Sequence, residues 1–274
     1  DEVAISETGD VVVIGSSFAE TPSSGIVRAF MLSGNQWTQI GNNFTSAYMG
    51  GWVGAGVSLN SDGTMLAVGE PYADGTNFDG VVRVYNSPSV GSCSSTNWCQ
   101  LGSEITAPPL AFNASFGNAV HLSDDGSTIA IGSPTLSEVV GGSLITEYYG
   151  MASIFRWNVN SSDWEQLGDD ILGTMQNGGG FGHAIQLSST GDTVIVGANN
   201  SIGSNTGPGY VRVYIWDGSN WTQLGSDLIG EQSTGESGES VSISSNGNRI
   251  AIGEPKNDAN SVNDDGSCEY CDLS

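Results

Sequence analysis

The sequence predicts an all-β fold of the β-propeller class, and three observations carry that prediction. A thirteen-residue pattern recurs five times along the 274-residue chain, and a second two-strand pattern follows it four times. The chain contains 40 Gly, and no window shows a convincing helical apolar period. Repeats built from four short antiparallel strands are typical of propeller blades, so we expect four complete repeats and a partial fifth.

The first half of each repeat is predicted to be a hairpin. The five copies are "VAISETGDVVVIG" from Val3, "VSLNSDGTMLAVG" from Val57, "VHLSDDGSTIAIG" from Val120, "IQLSSTGDTVIVG" from Ile185 and "VSISSNGNRIAIG" from Val241. Each copy alternates apolar and polar residues, turns at a glycine, and ends in a more apolar strand. The turn glycine supplies a positive φ that residues with a Cβ resist.

The second half of each repeat supplies a third and a fourth strand. It occurs as "GIVRAF", "GVVRVY", "GMASIF" and "GYVRVY", each followed by a segment such as "WTQLG". Four tryptophans recur at one position, and we expect them to pack between blades. Three arginines also recur at one position, which favours a structural ion-pair or stacking role. These residues are Trp37, Trp98, Trp164 and Trp221, and Arg28, Arg83 and Arg212.

The repeats define the domain organisation and leave one problem open. They begin near residues 1, 54, 117, 182 and 238, so residues 1–256 are assigned to propeller blades. Residues 257–274 form an acidic, Cys-containing tail or the start of a further module. A propeller avoids open blade edges, yet the fifth repeat has only two predicted strands. The chain is part of a larger ring, or the tail supplies the strands, or another subunit pairs with the open edge.

The charge balance excludes several classes of partner. There are 30 acidic and 6 basic residues, giving a formal net charge of -24. Nucleic acid and anionic membrane surfaces both require basic patches, so neither is expected as a partner. No apolar run is long enough for membrane insertion. We favour a solvated surface whose acidic residues repel one another as the explanation of this negative charge, and cation binding is the less favoured explanation.

Cysteines and glycosylation sequons favour an extracellular or cell-surface location. Cys93 and Cys99, and Cys268 and Cys271, form two close pairs that we assign as disulfide cysteines. The two pairs do not join into a four-ligand zinc pattern with the usual spacing, and no histidine lies nearby in the sequence to complete a site. Five N-x-S/T sequons are candidate glycosylation sites. They lie at Asn43, Asn113, Asn160, Asn199 and Asn220.

The repeats resemble FG-GAP repeats, the blades of integrin α-subunit propellers and of many extracellular microbial and algal proteins. The resemblance is carried by "FGNAVHLSDDGSTIAIGSP" from Phe116 and "FGHAIQLSSTGDTVIVGAN" from Phe181, with "GYVRVY" and "WTQLG". It covers nearly the whole chain and implies a propeller whose loop-bearing face contacts partners. Calcium-binding members carry an aspartate-rich loop in the first turn. Here the turns "NSDG", "SDDG", "SSTG" and "SSNG" lack its outer aspartates, so calcium is not expected there.

Two other acidic stretches are candidate calcium sites. One comprises Asp74, Asn77 and Asp79, and the other comprises Asp258, Asp264 and Asp265. A solvated acidic loop is the favoured interpretation of each, and bound calcium is the alternative. We expect no other cofactor.

The sequence contains no catalytic constellation, so we expect a protein that is not an enzyme. His121 and His183 occupy non-equivalent positions, and none of the common nucleophile, phosphate-loop or metalloprotease motifs occurs. The insertion "SEVVGGSLITEYYG", residues 137–150, is the leading partner-contact loop, with Tyr148 and Tyr149 as contact residues. An inert surface insertion is the equally weighted alternative.

We therefore expect a non-enzymatic extracellular structural or adhesion protein that is a building block of a cell-surface or filamentous assembly. Its partners would be copies of itself or other matrix subunits. The alternative is a calcium- or glycan-binding recognition module of a secreted protein. A secreted enzyme whose catalytic part lies outside this sequence is a third, less favoured hypothesis.

Overall fold

The computed structural model describes most of the chain as β-strands and turns. Backbone and side chains are described for residues 2–19, 24–73, 79–88, 90, 93, 96–108, 114–136, 149–174, 179–200 and 207–257. The backbone alone is described for residues 138–140, 143–145 and 267–272. Within these ranges, no helix has the length and apolar character that a membrane span requires.

Four consecutive sheets follow the same plan, and all their strand pairs are antiparallel. The first contains β1 (Glu2–Ile5), β2 (Val11–Ser16), β3 (Ile26–Ser33), β4 (Gln36–Gln39) and β5 (Phe44–Thr45). The second contains β6 (Val57–Leu59), β7 (Met65–Glu70), β8 (Val81–Asn86), β9 (Cys99–Gln100) and β10 (Ile105–Thr106). In each sheet the fourth position is shared by two short strands that pair with the third strand.

The third and fourth sheets repeat this plan, and the third carries an additional hairpin. The third contains β11 (Ala119–Leu122), β12 (Thr128–Ser133), β15 (Met151–Asn158), β16 (Asp163–Gln166) and β17 (Ile171–Leu172). The hairpin consists of β13 (Glu138–Val140) and β14 (Ser143–Ile145). The fourth contains β18 (Phe181–Leu187), β19 (Thr193–Ala198), β20 (Tyr210–Trp216), β21 (Trp221–Gln223) and β22 (Leu228–Ile229).

A fifth sheet is formed by β23 (Ser240–Ile243), β24 (Arg249–Glu254) and β25 (Ser267–Asp272). The pairing of β25 with β24 is antiparallel and runs from Glu254 opposite Ser267 to Arg249 opposite Asp272. The tail therefore supplies the third strand of this sheet, which was one of the three explanations left open by the sequence. Within the described residues, no fourth strand pairs with β25.

A side-chain oxygen closes the first turn of every repeat. In the first sheet, the backbone N–H of Val11 donates to Oγ of Ser6 at 3.0 Å, and Gly9 has a φ of 72°. The equivalent acceptors are Asn60, Ser123, Ser188 and Ser244. Because Ser and Asn side chains satisfy backbone donors in tight turns, they recur at this position of the pattern.

The hydrophobic core lies between consecutive sheets as four separate clusters. Three of the four recurring tryptophans contribute to these junctions through their indole N–H groups. Trp98 donates to the carbonyl of Ile40, Trp164 to Leu101 and Trp221 to Leu167, at 3.2, 3.1 and 2.8 Å. Each acceptor belongs to the preceding sheet, so packing between blades is confirmed for these three tryptophans. Trp37 has no preceding sheet in the described structure and is 48% exposed.

Glycine permits the close approach of one sheet to the next. Gly117 has a φ of 91°, and a Cβ on Gly69 would collide with the Gly117 carbonyl oxygen. The same glycine pair joins the first sheet to the second, the third to the fourth and the fourth to the fifth. This contact explains why a glycine ends the second strand of each repeat.

The five sheets form an ordered series, and the described residues leave its two ends unjoined. Backbone hydrogen bonds join Glu7 to Ser61, Ser61 to Asp124, Asp124 to Ser189 and Ser189 to Ser245, which links the first turns in chain order. Among the described residues, no equivalent bond joins the fifth sheet to the first. The predicted all-β propeller, with four complete sheets and a partial fifth, is confirmed.

Candidate functional site: the central cavity and its rim

A cavity of about 500 Å³ opens where the first strands of the five sheets converge. Its lining includes Glu2, Val57, Val120, Ile185 and Val241, one residue from each sheet. Phe18, Trp52, His183 and Glu239 also line it. Central cavities in which polar groups converge are common ligand sites, so this is the candidate binding site.

The rim of this cavity carries an aromatic cluster. The Trp52 ring lies 4.6 Å from the Phe18 ring and 4.5 Å from the Tyr72 ring, measured between centroids. Phe18 and Tyr72 occupy equivalent turns in the first and second sheets, and Trp52 lies in the segment that joins those sheets. Phe18 is exposed, so part of the cluster is accessible to a ligand.

Equivalent pairs with different chemistry occur at the other sheets. We call them link–turn pairs, because one residue lies in the link entering a sheet and the other lies in the turn after its second strand. The pairs after Trp52–Tyr72 are Ser115–Thr135 in the third sheet, held by a hydrogen bond between two hydroxyl groups, and Glu236–Lys256 in the fifth sheet, held by an ion pair. In the fourth sheet the equivalent link residue is a glycine, and Oδ1 of Asn200 accepts the backbone N–H of Gly179 at 3.2 Å. The scaffold therefore presents different chemistry at this position of each sheet.

A contact between a histidine and a carboxylate lies at the cavity wall between the fourth and fifth sheets. Nε2 of His183 is 3.3 Å from Oε2 of Glu239, and Nδ2 of Asn199 donates to the same oxygen at 2.5 Å. The His183 contact and then the Asn199 bond lower the pKa of Glu239 to about 2. Burial raises the pKa of Glu2. This arrangement stabilises a carboxylate but places no nucleophile beside a base.

His121 has a structural role between the third and fourth sheets. Its Nδ1 accepts the backbone N–H of Leu187 at 3.2 Å. Ser58 and Gln186, at equivalent positions, accept the N–H groups of Leu122 and Ile243. Desolvation lowers the pKa of His121 to about 4, so the imidazole is neutral near pH 7. It is therefore one of three equivalent acceptors between first strands.

Two of the three recurring arginines form ion pairs, as the repeat predicts. Nη1 of Arg83 lies 2.6 Å from Oε2 of Glu70, and Nη2 lies 2.7 Å from Oε1 of Glu104. Arg212 binds Asp227 at 2.8 Å and lies over the ring of Tyr210. Arg28 instead lines a smaller depression on the exposed face of the first sheet.

Most of the predicted calcium ligands lie outside the described residues. These are Asp74, Asn77, Asp258, Asp264 and Asp265. Asp79 is described, and its backbone carbonyl accepts the N–H of Phe116 at 3.0 Å. In the part of the chain with described side chains, no group of three or more His, Cys, Asp or Glu residues could hold a metal ion. Calcium binding by these two loops therefore stays a prediction.

The Cys93–Cys99 disulfide is present, with the two Cα atoms 5.8 Å apart. Cys268 and Cys271 lie in β25, and their side chains are outside the described part. Among the sequons, Asn43, Asn160 and Asn220 are exposed, whereas Asn113 lies outside the described residues. Asn199 is fully buried and hydrogen-bonded to Glu239, so its amide is not accessible to a glycan on the folded chain.

The predicted contact loop contains the β13–β14 hairpin, which forms a sheet of its own. Tyr148 lies outside the described residues. Tyr149 is half-buried and packs against the core cluster between the second and third sheets. Its carbonyl also accepts the N–H of Phe181 at 3.2 Å. Tyr149 therefore anchors the loop to the scaffold.

Comparisons with known proteins support the fold alone. The sequence matches no protein-family model and no curated protein. The structure is similar to TolB from Acinetobacter baumannii, with a TM-score of 0.52 and 15% identity over 100% of this chain and 52% of the TolB chain. It is also similar to the periplasmic gluconolactonase PpgL of Pseudomonas aeruginosa, with a TM-score of 0.54 and 13% identity over 91% of this chain and 63% of that chain.

A third similar structure is the β-propeller domain of the Trilobed protease from Pyrococcus furiosus. It aligns with a TM-score of 0.49 and 9% identity over 99% of this chain and 68% of that chain. The TolB and PpgL similarities place this chain in the class of β-propeller proteins. The chain spans about half of TolB and less than two thirds of PpgL.

Proposed function

We propose that this chain is a non-enzymatic structural or adhesion propeller of the FG-GAP type, a building block of an extracellular assembly. The uncovered apolar face of the first sheet is the observation that carries this proposal. Val3 and Ile14 are 62% and 43% exposed, whereas the equivalent Val57 and Val68 of the second sheet are 4% and 3% exposed. In the second sheet, those residues pack against the preceding sheet.

The fifth sheet, at the other end of the series, has the glycine that would receive a following sheet. In the first four sheets, the glycine that ends the second strand is covered by a glycine of the next sheet. Around Gly253 of the fifth sheet, the nearest atoms belong to Ser240 of the same sheet. A copy of the fifth sheet could therefore cover the first sheet of a second molecule, and repetition of this contact would build an open, head-to-tail assembly.

Electron microscopy of the purified chain tests this function. We expect rods or filaments whose repeat corresponds to one propeller, because a heterologous contact that does not close generates an open assembly. Discrete, uniform single particles at high protein concentration would contradict the proposal.

A recognition module is the second candidate, and the aromatic cluster beside the cavity favours it. Phe18, Trp52 and Tyr72 offer ring faces of the kind that stack on sugars, and Glu239 and His183 offer polar contacts nearby. Binding on a glycan array that is lost in Trp52→Ala and retained in Trp37→Ala would support this function. No binding by the unmodified chain would exclude it for the glycans tested.

A further inference from the structure

Two glutamates occupy equivalent buried positions in the second and fifth sheets. Glu70 ends β7 and Glu254 ends β24, and they are 0% and 1% exposed. Each lies against the link that enters its own sheet, next to Gly51 and Gly235 respectively. A buried carboxylate is costly unless hydrogen-bond donors or a cation compensate its charge, so the surroundings of the two residues can be compared directly.

Glu70 is fully compensated. Nη1 of Arg83 lies 2.6 Å from its Oε2, and the hydroxyl of Ser46 donates to its Oε1. One cationic and one neutral donor therefore neutralise this carboxylate inside the protein.

Glu254 lacks both of these partners. The residue equivalent to Ser46 is Gly230, which has no hydroxyl. In strand register, Arg83 lies opposite Val68, and the residue at the same register position of the fifth sheet is Glu269, opposite Ile252. The sequence thus offers an acidic residue where the second sheet has an arginine.

The remaining contacts leave the Glu254 carboxylate incompletely satisfied. Among the described residues, its Oε1 receives one long contact, from the backbone N of Gln232 at 3.5 Å. Its Oε2 is buried and has no hydrogen-bond partner among them. No described side chain supplies a positive charge to either oxygen.

A second unsatisfied acceptor lies in the same turn. The backbone N–H of Asn257 donates to the carbonyl of Glu254 at 3.3 Å, so the two residues bracket one four-residue turn. Asn257 is 1% exposed, and its Oδ1 also has no hydrogen-bond partner in the described part of the chain. Its Nδ2 is directed to Oε2 of Glu231 at 3.4 Å, which fixes the orientation of the amide and brings a second carboxylate alongside.

We propose that this turn binds a hard divalent cation such as calcium, with Glu254 and Asn257 as buried ligands and Glu231 beside them. The set contains a carboxylate oxygen and an amide oxygen, which are preferred ligands of calcium, and water would complete the coordination. A cation supplies the positive charge that Arg83 supplies to Glu70. The site is separate from the first-turn loops and from the two acidic loops predicted from the sequence.

Calcium titration of the metal-free chain tests the site. The purified chain is stripped with chelator and its Tm is measured with and without calcium chloride. We expect one high-affinity calcium by calorimetry and an increase in Tm of about 5 °C at a hundredfold excess over Kd. No binding and no Tm shift would overturn the proposal.

Matched variants show which residues are responsible for calcium binding and for the calcium-dependent increase in Tm. Glu254→Gln preserves shape and removes the charge, so we expect at least a tenfold loss of calcium affinity and of the Tm shift. Glu70→Gln and the double variant Asp264→Asn/Asp265→Asn should retain both. Asn257→Asp adds a carboxylate and should tighten binding, which gives a second readout if Glu254→Gln does not fold. An undiminished response in Glu254→Gln, or a loss confined to the Asp264/Asp265 variant, would place the metal elsewhere and overturn the proposal.

Discussion

At the scale of single residues, equivalent positions perform one task with different side chains. Ser58, His121 and Gln186 each accept a backbone N–H from the first strand of the next sheet. Only the histidine can change its charge near neutral pH, so this position couples stability to pH in one sheet alone.

The substitution His121→Gln should flatten the pH dependence of stability. The pKa of His121 is about 4 in the folded chain and 6.5 for the free side chain, so the unfolded chain binds an additional proton between these values. Stability from neutral His121 is fully present above pH 6.5 and is lost as pH falls towards 4, by up to roughly 3 kcal/mol. Urea unfolding at pH 7, 6 and 5 measures the slope. Equal slopes in both proteins would contradict the structural role of a neutral imidazole.

A second residue-scale prediction concerns backbone strain in the link–turn pairs. Glu236 has a φ of 57°, a conformation that costs a residue with a Cβ about 1–2 kcal/mol. Its ion pair with Lys256 is at the surface and is worth less, so we expect Glu236→Gly to raise the free energy of unfolding by up to about 1 kcal/mol.

Gly9→Ala is the matched control for this strain. Gly9 has a φ of 72°, and no atom lies near the position of the new Cβ. We expect Gly9→Ala to lower the free energy of unfolding by about 1 kcal/mol through backbone strain alone. If both substitutions changed stability in the same direction, positive φ would not be the cause.

At the scale of elements, the junction between sheets determines the repeat. A tryptophan indole donates to the carbonyl of the preceding sheet at three junctions. We expect Trp164→Phe to destabilise the chain by about 1–3 kcal/mol, because the Leu101 carbonyl loses its donor in a buried junction. Trp37→Phe, with no junction to disrupt, should change stability by less than about 0.5 kcal/mol. Chemical denaturation measures the free energy of unfolding of both variants. Equal losses of stability would contradict the role of the tryptophan at the junction.

The sequence predicts these elements well because the repeat itself carries the information. Alternating apolar residues, turn glycines and recurring Trp and Arg positions identify the first four sheets and their order. The third strand of the fifth sheet was not assigned from sequence, because "SCEYCD" shares no residue pattern with "GYVRVY". Its position depends on backbone pairing with β24.

The candidate site was less accessible to sequence reasoning. Trp52 and Tyr72 lie in different parts of the repeat, and they come together only when a link folds against a turn. Alignment of the link positions Trp52, Ser115 and Glu236 would have shown that they differ in chemistry, but not what each contacts. The unsatisfied oxygens of Glu254 and Asn257 depend on the absence of partners, which no motif records.

At the scale of the whole molecule, the series of sheets has a first face and a last face that no other described sheet covers. The first face exposes Val3, Ile5 and Ile14, although the same positions are largely buried in the second sheet. Exposure of a contiguous apolar face marks an interaction surface. Strongly negative surfaces repel one another, so we expect association through this face to strengthen as salt concentration increases.

Sedimentation velocity of matched variants tests the central claim, that the uncovered face of the first sheet drives assembly. Ile14→Lys places a charge on that face, and Val159→Lys places the same charge on an exposed apolar residue of the turn between β15 and β16. We predict that the unmodified chain and Val159→Lys form larger species as concentration rises, while Ile14→Lys stays monomeric. A monomeric unmodified chain at all concentrations, or equal assembly by Ile14→Lys, would contradict the account.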